Sequence, residues 1–197
     1  MEHPITEAVH PGLDLVKLMI QQGVAEQSAS DSELSATLPE MQQNTYLSKT
    51  NPLHAIEVRV YAEDPSAAFR PCSGVLQHVD LDIGTVDWLR VDSWVIIKPP
   101  ALYIVDSVQI STGTTITPFF DPLLCKLIVS ASTREEALLR LANVLRQIKI
   151  QGPPNNLEYL TAIIADEAFQ AGEANTKFLD TFEFCPKYVE VVLTRTF

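Results

Sequence analysis

From His54 to Tyr61 apolar and polar side chains alternate without a break: Ile56, Val58 and Val60 take one parity, Glu57, Arg59 and Tyr61 the other. A period of two is that of a half-buried strand, with one face on a core. Glu63-Asp64-Pro65 ends the run, since proline cannot donate to a ladder. Further strand-like runs lie at Val75–Val79, Val86–Ile97, Thr114–Ile116 and Leu123–Val129. Turn residues separate them, as in an antiparallel sheet. Elsewhere the period is helical. Leu13, Val16, Ile20 and Val24 share one face. Thr133-Arg134-Glu135-Glu136 is a capping box: the Thr133 hydroxyl is predicted to accept from the N–H of Glu136, whose carboxylate reaches back. Behind it Ala137, Leu141, Val144, Leu145 and Ile148 line one face of a helix that Gly152-Pro153-Pro154 stops. Asn156–Ala165 reads as a second amphipathic helix and Thr176–Phe182 as a short third. Residues 25–53, rich in Ser, Gln, Glu and Asn, read as a surface connection, and 186–197 as a tail. The fold class is α+β, an antiparallel sheet with helices packed against it.

A chain of 197 residues, 46% of them hydrophobic, can build one domain with a real core. Its formal net charge of −11 argues against binding nucleic acid phosphates or an anionic membrane surface. Cys72, Cys125 and Cys185 are odd in number, far apart and free of any C-x-x-C, so neither a disulfide framework nor a zinc knuckle is expected. Free thiols fit a reducing, cytoplasmic compartment. Met1–Glu7 has neither the basic nor the apolar region of a signal peptide. The apolar stretch Trp94–Val105 is broken by Lys98-Pro99-Pro100 and is too short for a bilayer.

Few residues carry chemistry on pattern alone. Glu2-His3-Pro4-Ile5-Thr6-Glu7 concentrates two carboxylates and an imidazole. That set can ligate a metal, but with no second ligand cluster it reads as a polar turn before a helix. Arg59 shares a strand face with Glu57. Such an arginine is either solvated, paired with its neighbouring carboxylate, or aimed into a cleft to steady an oxyanion. No phosphate loop and no nucleophile elbow occurs.

Five ordered segments resemble the C-terminal region of biotin carboxylases. Glu2-His3-Pro4-Ile5-Thr6-Glu7 with Gly12-Leu13-Asp14-Leu15-Val16-Lys17 resembles the family's V-E-H-P-V-T-E and G-x-D-L-V-K. His54-Ala55-Ile56-Glu57-Val58-Arg59 through Pro65 resembles H-A-I-E-x-R-x-x-A-E-D-P. Phe69-Arg70-Pro71 with Ser73-Gly74 resembles F-x-P-S-x-G, and Phe120-Asp121-Pro122 through Lys126-Leu127-Ile128 resembles Y-D-P-M-x-x-K-L-I. Narrower likenesses, at Gly74–Val79, Thr112–Asp121, Ile150–Leu160 and Lys177–Glu183, point to urea carboxylases and the fungal urea amidolyases. Pyruvate, acetyl-CoA and other acyl-CoA carboxylases are the alternative subfamilies.

The resemblance implies a fold of the biotin carboxylase C-terminal type, part of an ATP-grasp enzyme that activates bicarbonate and carboxylates biotin. It places the family's base on Glu2 and its biotin- and bicarbonate-contacting arginine on Arg59. Glu2 stands next to the first residue and is expected to be loosely held. The family's ATP lid and magnesium ligands lie upstream of V-E-H-P, so ATP and magnesium are not expected to bind this chain alone. Biotin is expected on a separate carrier domain, since no A-M-K-M motif occurs. The implied partners are that carrier, an upstream ATP-grasp region and a second copy in a homodimer. The implied division is 1–24 as a junction helix, 25–53 as connection, 54–185 as the C-terminal domain and 186–197 as tail. Residues 96–109 match nothing in the family pattern and read either as a loop insertion or as translated intervening sequence. Three roles remain open at this level: part of a carboxylase, a non-catalytic interaction or dimerisation module, or a fragment with no independent role.

Overall fold

The computed structural model describes residues 2–28, 53–81, 83–84, 86–93 and 111–186. The 96–109 segment, most of the 25–53 connection and the tail beyond residue 186 lie outside them.

Strand β1 (His54–Tyr61) pairs antiparallel with β8 (Leu123–Ala131), which pairs on its other edge with β6 (Leu89–Ser93). The sheet order is β1-β8-β6. The alternation in β1 resolves as expected, with Ile56, Val58 and Val60 buried. Opposite them on β8 stand Val129, Leu127 and Cys125, also buried. Helix α3 (Arg134–Gln147) lies on this face and adds Ala137, Leu138, Leu141, Val144 and Leu145 to the core. Each such side chain taken from water contributes on the order of 1.5–3 kcal/mol.

Helix α3 begins as its capping box predicts: Glu136 N–H donates to Thr133 Oγ1 at 3.2 Å. The carboxylate of Glu136 reaches one residue further back than expected, to the N–H and hydroxyl of Ser132. At the far end Ile148 is extended rather than helical, and Lys149–Gln151 forms a strand, β9. Gly152-Pro153-Pro154 therefore stops that strand, not the helix.

The predicted strand Val75–Val79 is two strands with different partners. Gly74–Val75 (β4) pairs with Thr115–Ile116 (β7), and His78–Asp80 (β5) pairs with β9. Two-residue strands β2 (Glu63–Asp64) and β3 (Arg70–Pro71) form a further pair. Helix α4 (Leu157–Ala165) packs on α3, and two short helices follow, α5 (Glu167–Ala171) and α6 (Phe178–Thr181). Helix α5 was not anticipated; Asp166 caps it by accepting from the N–H groups of Ala168 and Phe169.

Residues His3–Val9 form a helix, α1, where the sequence suggested a polar turn. Pro4 sits at its start, where a missing N–H costs nothing, and is fully buried. Helix α2 (Leu15–Ser28) runs four residues into the expected connection. Its apolar face is not part of the core: Val16, Met19, Ile20 and Val24 are 47%, 73%, 62% and 58% exposed.

Candidate functional site

Helix α1 covers the face of the sheet opposite α3, touching β1 and β8. This is the parity that carries Glu57 and Arg59 on β1. Register then decides what meets them. Arg59 stands directly across from Lys126 on β8, and Lys126 across from Asp92 on β6. One step beyond Arg59 the register shifts, from Val60↔Cys125 to Tyr61↔Leu123. The bulge leaves Leu124 without a partner opposite and lets both Leu124 and Cys125 bury.

Glu2, immediately before α1, drops its carboxylate into this row. Its Oε1 accepts from the Arg59 guanidinium, and its Oε2 accepts from Lys126 Nζ at 3.0 Å. The expectation of a loose Glu2 is thus corrected: two cations on two strands hold it. Glu57 Oε1 accepts from Arg59 Nε at 3.2 Å and lies 3.9 Å from Lys126 Nζ. Glu57 Oε2 is buried and has no hydrogen-bond partner among the described residues. Two carboxylates and two cations thus form one cluster, in which Arg59 and Glu2 are 40% and 39% exposed and Glu57 only 8%.

A second cluster ties α1 down. The Glu7 carboxylate accepts from Arg90 Nη1 at 2.9 Å and from the N–H of Leu15 at 3.0 Å, joining α1, β6 and the start of α2. Arg90 also donates to Asp92 at 2.8 Å.

The electrostatics follow the geometry. The hydrogen bond from Lys126 holds the Glu2 carboxyl below the usual carboxylate range, with the positive charges of Lys126 and Arg59 adding to it. Arg59 is raised, by Tyr61 first and then by Glu57 and Glu2, so it stays a cation at any working pH. The face can therefore present a permanently charged guanidinium beside an ionised carboxylate. The structure brings together both residues singled out in the sequence, Glu2 and Arg59. Sequence reasoning assigned no role to Lys126. In the sequence Lys126 stood out as the lysine of the segment resembling Y-D-P-M-x-x-K-L-I and as a charged residue in an otherwise apolar strand, Leu123–Val129. Among the described residues no three His, Cys, Asp or Glu side chains are grouped to hold a metal ion.

This fold is that of a biotin carboxylase C-terminal domain. Residues 97–181 belong to that family, described as the biotin carboxylase C-terminal domain, and nearly the whole chain matches the C-terminal part of biotin carboxylase domains. A putative urea carboxylase of Emericella nidulans is 35% identical over 98% of the chain. A biotin carboxylase of Halalkalibacterium halodurans is 37% identical over 91% of it. The chain spans only 14% and 32% of those two proteins. Among solved structures, the biotin carboxylase domain dimer of the Hydrogenobacter thermophilus 2-oxoglutarate carboxylase, in complex with MgADP, ADP and bicarbonate, aligns with a TM-score of 0.67. It is 26% identical, and the match covers 94% of this chain and 35% of that one. The family match starts at residue 97, inside the 96–109 stretch set aside in the sequence. Among the described residues no helix is long and apolar enough to cross a membrane.

Proposed function

We propose that this chain supplies one wall of a biotin carboxylase active site, in a biotin-dependent carboxylase of the urea carboxylase type. The ATP- and bicarbonate-dependent carboxylation of biotin then requires an upstream ATP-grasp region as well. The observation that carries this reading is the contact between the Glu2 carboxylate and the Arg59 guanidinium on a partly open sheet face. Proton abstraction followed by stabilisation of the resulting anion needs that pair of groups side by side.

The fit to the family's ligands is partial. Phosphoryl transfer needs metal ions and cationic donors along the phosphates. Among the described residues no three His, Cys, Asp or Glu side chains are grouped to hold a metal ion, and this reading assigns the phosphoryl step to the upstream region. Toward a small planar anion the chain offers the half-exposed guanidinium of Arg59 beside the Glu2 carboxylate. Glu2, held ionised, takes the proton of bicarbonate, and Arg59 lies against the oxygen on which charge develops. The ureido nitrogen of biotin must lose its proton, to a base outside this chain, before it accepts the carboxyl group, and the enolate so formed on the ureido oxygen would face Arg59. The partners of this reading are a biotin carrier domain, the upstream region and a second copy of the domain.

The test is bicarbonate-dependent ATP hydrolysis, with biotin and magnesium, by the chain alone and with the upstream region of a related carboxylase added in trans. The chain alone is expected to be inactive, the mixture active, and Arg59→Ala in the mixture inactive. Turnover by the isolated chain that Arg59→Ala abolishes would overturn the reading.

A further inference from the structure

We propose that Lys126 is a positioning residue that holds Glu2 aimed and ionised independently of Arg59. The identity of Glu2 as the base rests on the function proposed above; the hold that Lys126 exerts on it does not.

Arg59 faces a conflict of duties. Arg59 donates to Glu2 and to Glu57, and the proposed reaction asks the same guanidinium to meet a bound anion. A guanidinium has its donors in a fixed plane, so turning toward a new anion weakens its grip on the old one. If Arg59 were the only cation on Glu2, substrate arrival would release the base when its aim matters most. Lys126 removes that conflict. It approaches from the neighbouring strand, takes the other carboxylate oxygen of Glu2 at 3.0 Å, and is itself only 22% exposed. Its place is fixed by the ladder, because Arg59 and Lys126 are register partners one step before the bulge.

Glu57 completes the arrangement from beneath. Its carboxylate is 8% exposed and stands 3.2 Å from Arg59 Nε and 3.9 Å from Lys126 Nζ. It therefore fixes both cations at the spacing at which each reaches one oxygen of Glu2. From β6, Asp92 stands beside Lys126 but is engaged by Arg90. The groups facing Glu2 are thus Arg59 and Glu57 from β1 and Lys126 from β8, with Asp92 behind. Lys126 is the largest influence lowering the Glu2 carboxyl, ahead of Arg59.

The experiment reads the ionisation of Glu2 directly in the isolated chain, by carbon NMR of carboxyl-labelled glutamate across acidic pH. Glu2→Gln identifies the resonance, and amide spectra confirm that each variant is folded. Lys126→Met is expected to shift the Glu2 midpoint upward, Lys126→Arg to restore it, and Arg59→Met to shift it upward by less. Lys126→Gln replaces Lys126→Met if the methionine disturbs the sheet. A Glu2 midpoint unmoved by loss of Lys126, or moved further by loss of Arg59, overturns the proposal. Failure of the wild-type chain to complement an upstream region, with Glu2 titrating as expected, sinks the functional reading and leaves the hold of Lys126 standing.

Discussion

Asn156 donates from its side-chain amide to the backbone carbonyl of Arg59, at 3.1 Å. The other end of the same amide accepts from the N–H of Tyr61 at 2.9 Å, and Asn156 N–H donates to the Tyr61 carbonyl at 3.2 Å. Asn156 is 6% exposed and stands at the start of α4, so a helix on the core side fixes the backbone that carries the site arginine. Asn156→Ala leaves two partly buried backbone groups, the Arg59 carbonyl and the Tyr61 N–H, unpaired. The expected loss is about 2–6 kcal/mol, at roughly 1–3 kcal/mol per unpaired group and toward the lower end for groups only partly buried, measured by urea unfolding. A loss under about 0.5 kcal/mol would show that water substitutes for the amide at both ends.

Gly152→Ala is expected to be more damaging than its size suggests. Gly152 has φ of 141°, and a Cβ there would come within 2.4 Å of the Val75 carbonyl oxygen and 3.1 Å of Leu76 Cα. Both are backbone atoms, held where Gln77 N–H donates to the Gln151 carbonyl at 2.8 Å. The substitution must push the backbone of Val75–Gln77 away from the end of β9, at about 2 kcal/mol or more. Gly113→Ala is the comparison, since its φ is 91° but nothing lies near the added carbon. It carries the left-handed penalty alone, about 1 kcal/mol. Equal melting temperatures for the two variants would refute the steric account.

Acid should loosen α1 before the rest of the fold. The folded Glu2 carboxyl is lowered, chiefly by the Lys126 hydrogen bond. A lowered carboxyl contributes stability above its unfolded value and loses it as pH falls through the folded one. Protection of α1 amides against hydrogen exchange should therefore decline from the ordinary carboxylate range downward. In Glu2→Gln the decline should flatten, with lower protection at neutral pH. An unchanged pH profile in Glu2→Gln would assign the effect to other carboxylates, such as Glu136 with Ser132.

The three thiols should separate by reactivity. Burial pushes the Cys125 thiol up to about 12, so almost none is thiolate at pH 8. Cys185 is exposed and Cys72 partly so. A thiol-specific reagent should label Cys185 first, Cys72 more slowly, and Cys125 only on unfolding. Labelling of Cys125 in the folded chain would mean that β8 opens locally.

The elements most legible in the sequence were those whose own pattern decides them. The parity of His54–Tyr61 determined which side chains of β1 bury, and Thr133 marked the first turn of α3. Pairing was not legible, because partner choice is a long-range fact. The run Val75–Val79 has strand character throughout, yet its two ends belong to different hairpins. The helical spacing of Val16, Ile20 and Val24 marked an amphipathic face but could not say whether the chain covers it. For the candidate site, Glu2, Arg59 and Lys126 all stood in motif resemblances, but only register set Lys126 beside Arg59 and showed what it could hold.

The contact between Glu2 and Lys126 joins positions 124 apart in sequence. That separation sets a sequence of events during synthesis. Until β8 has left the ribosome, the Glu2 carboxylate has no Lys126 to meet, and β1 lacks the strand it pairs with. Closing so long a loop costs only slightly more than closing one half as long, since the entropy grows with the logarithm of length. Contacts of this range nevertheless form slowly, because that cost precedes any gain. The contact between Glu2 and Lys126 thus waits on the pairing of β1 with β8, and the charged face is completed only on a sheet that already exists.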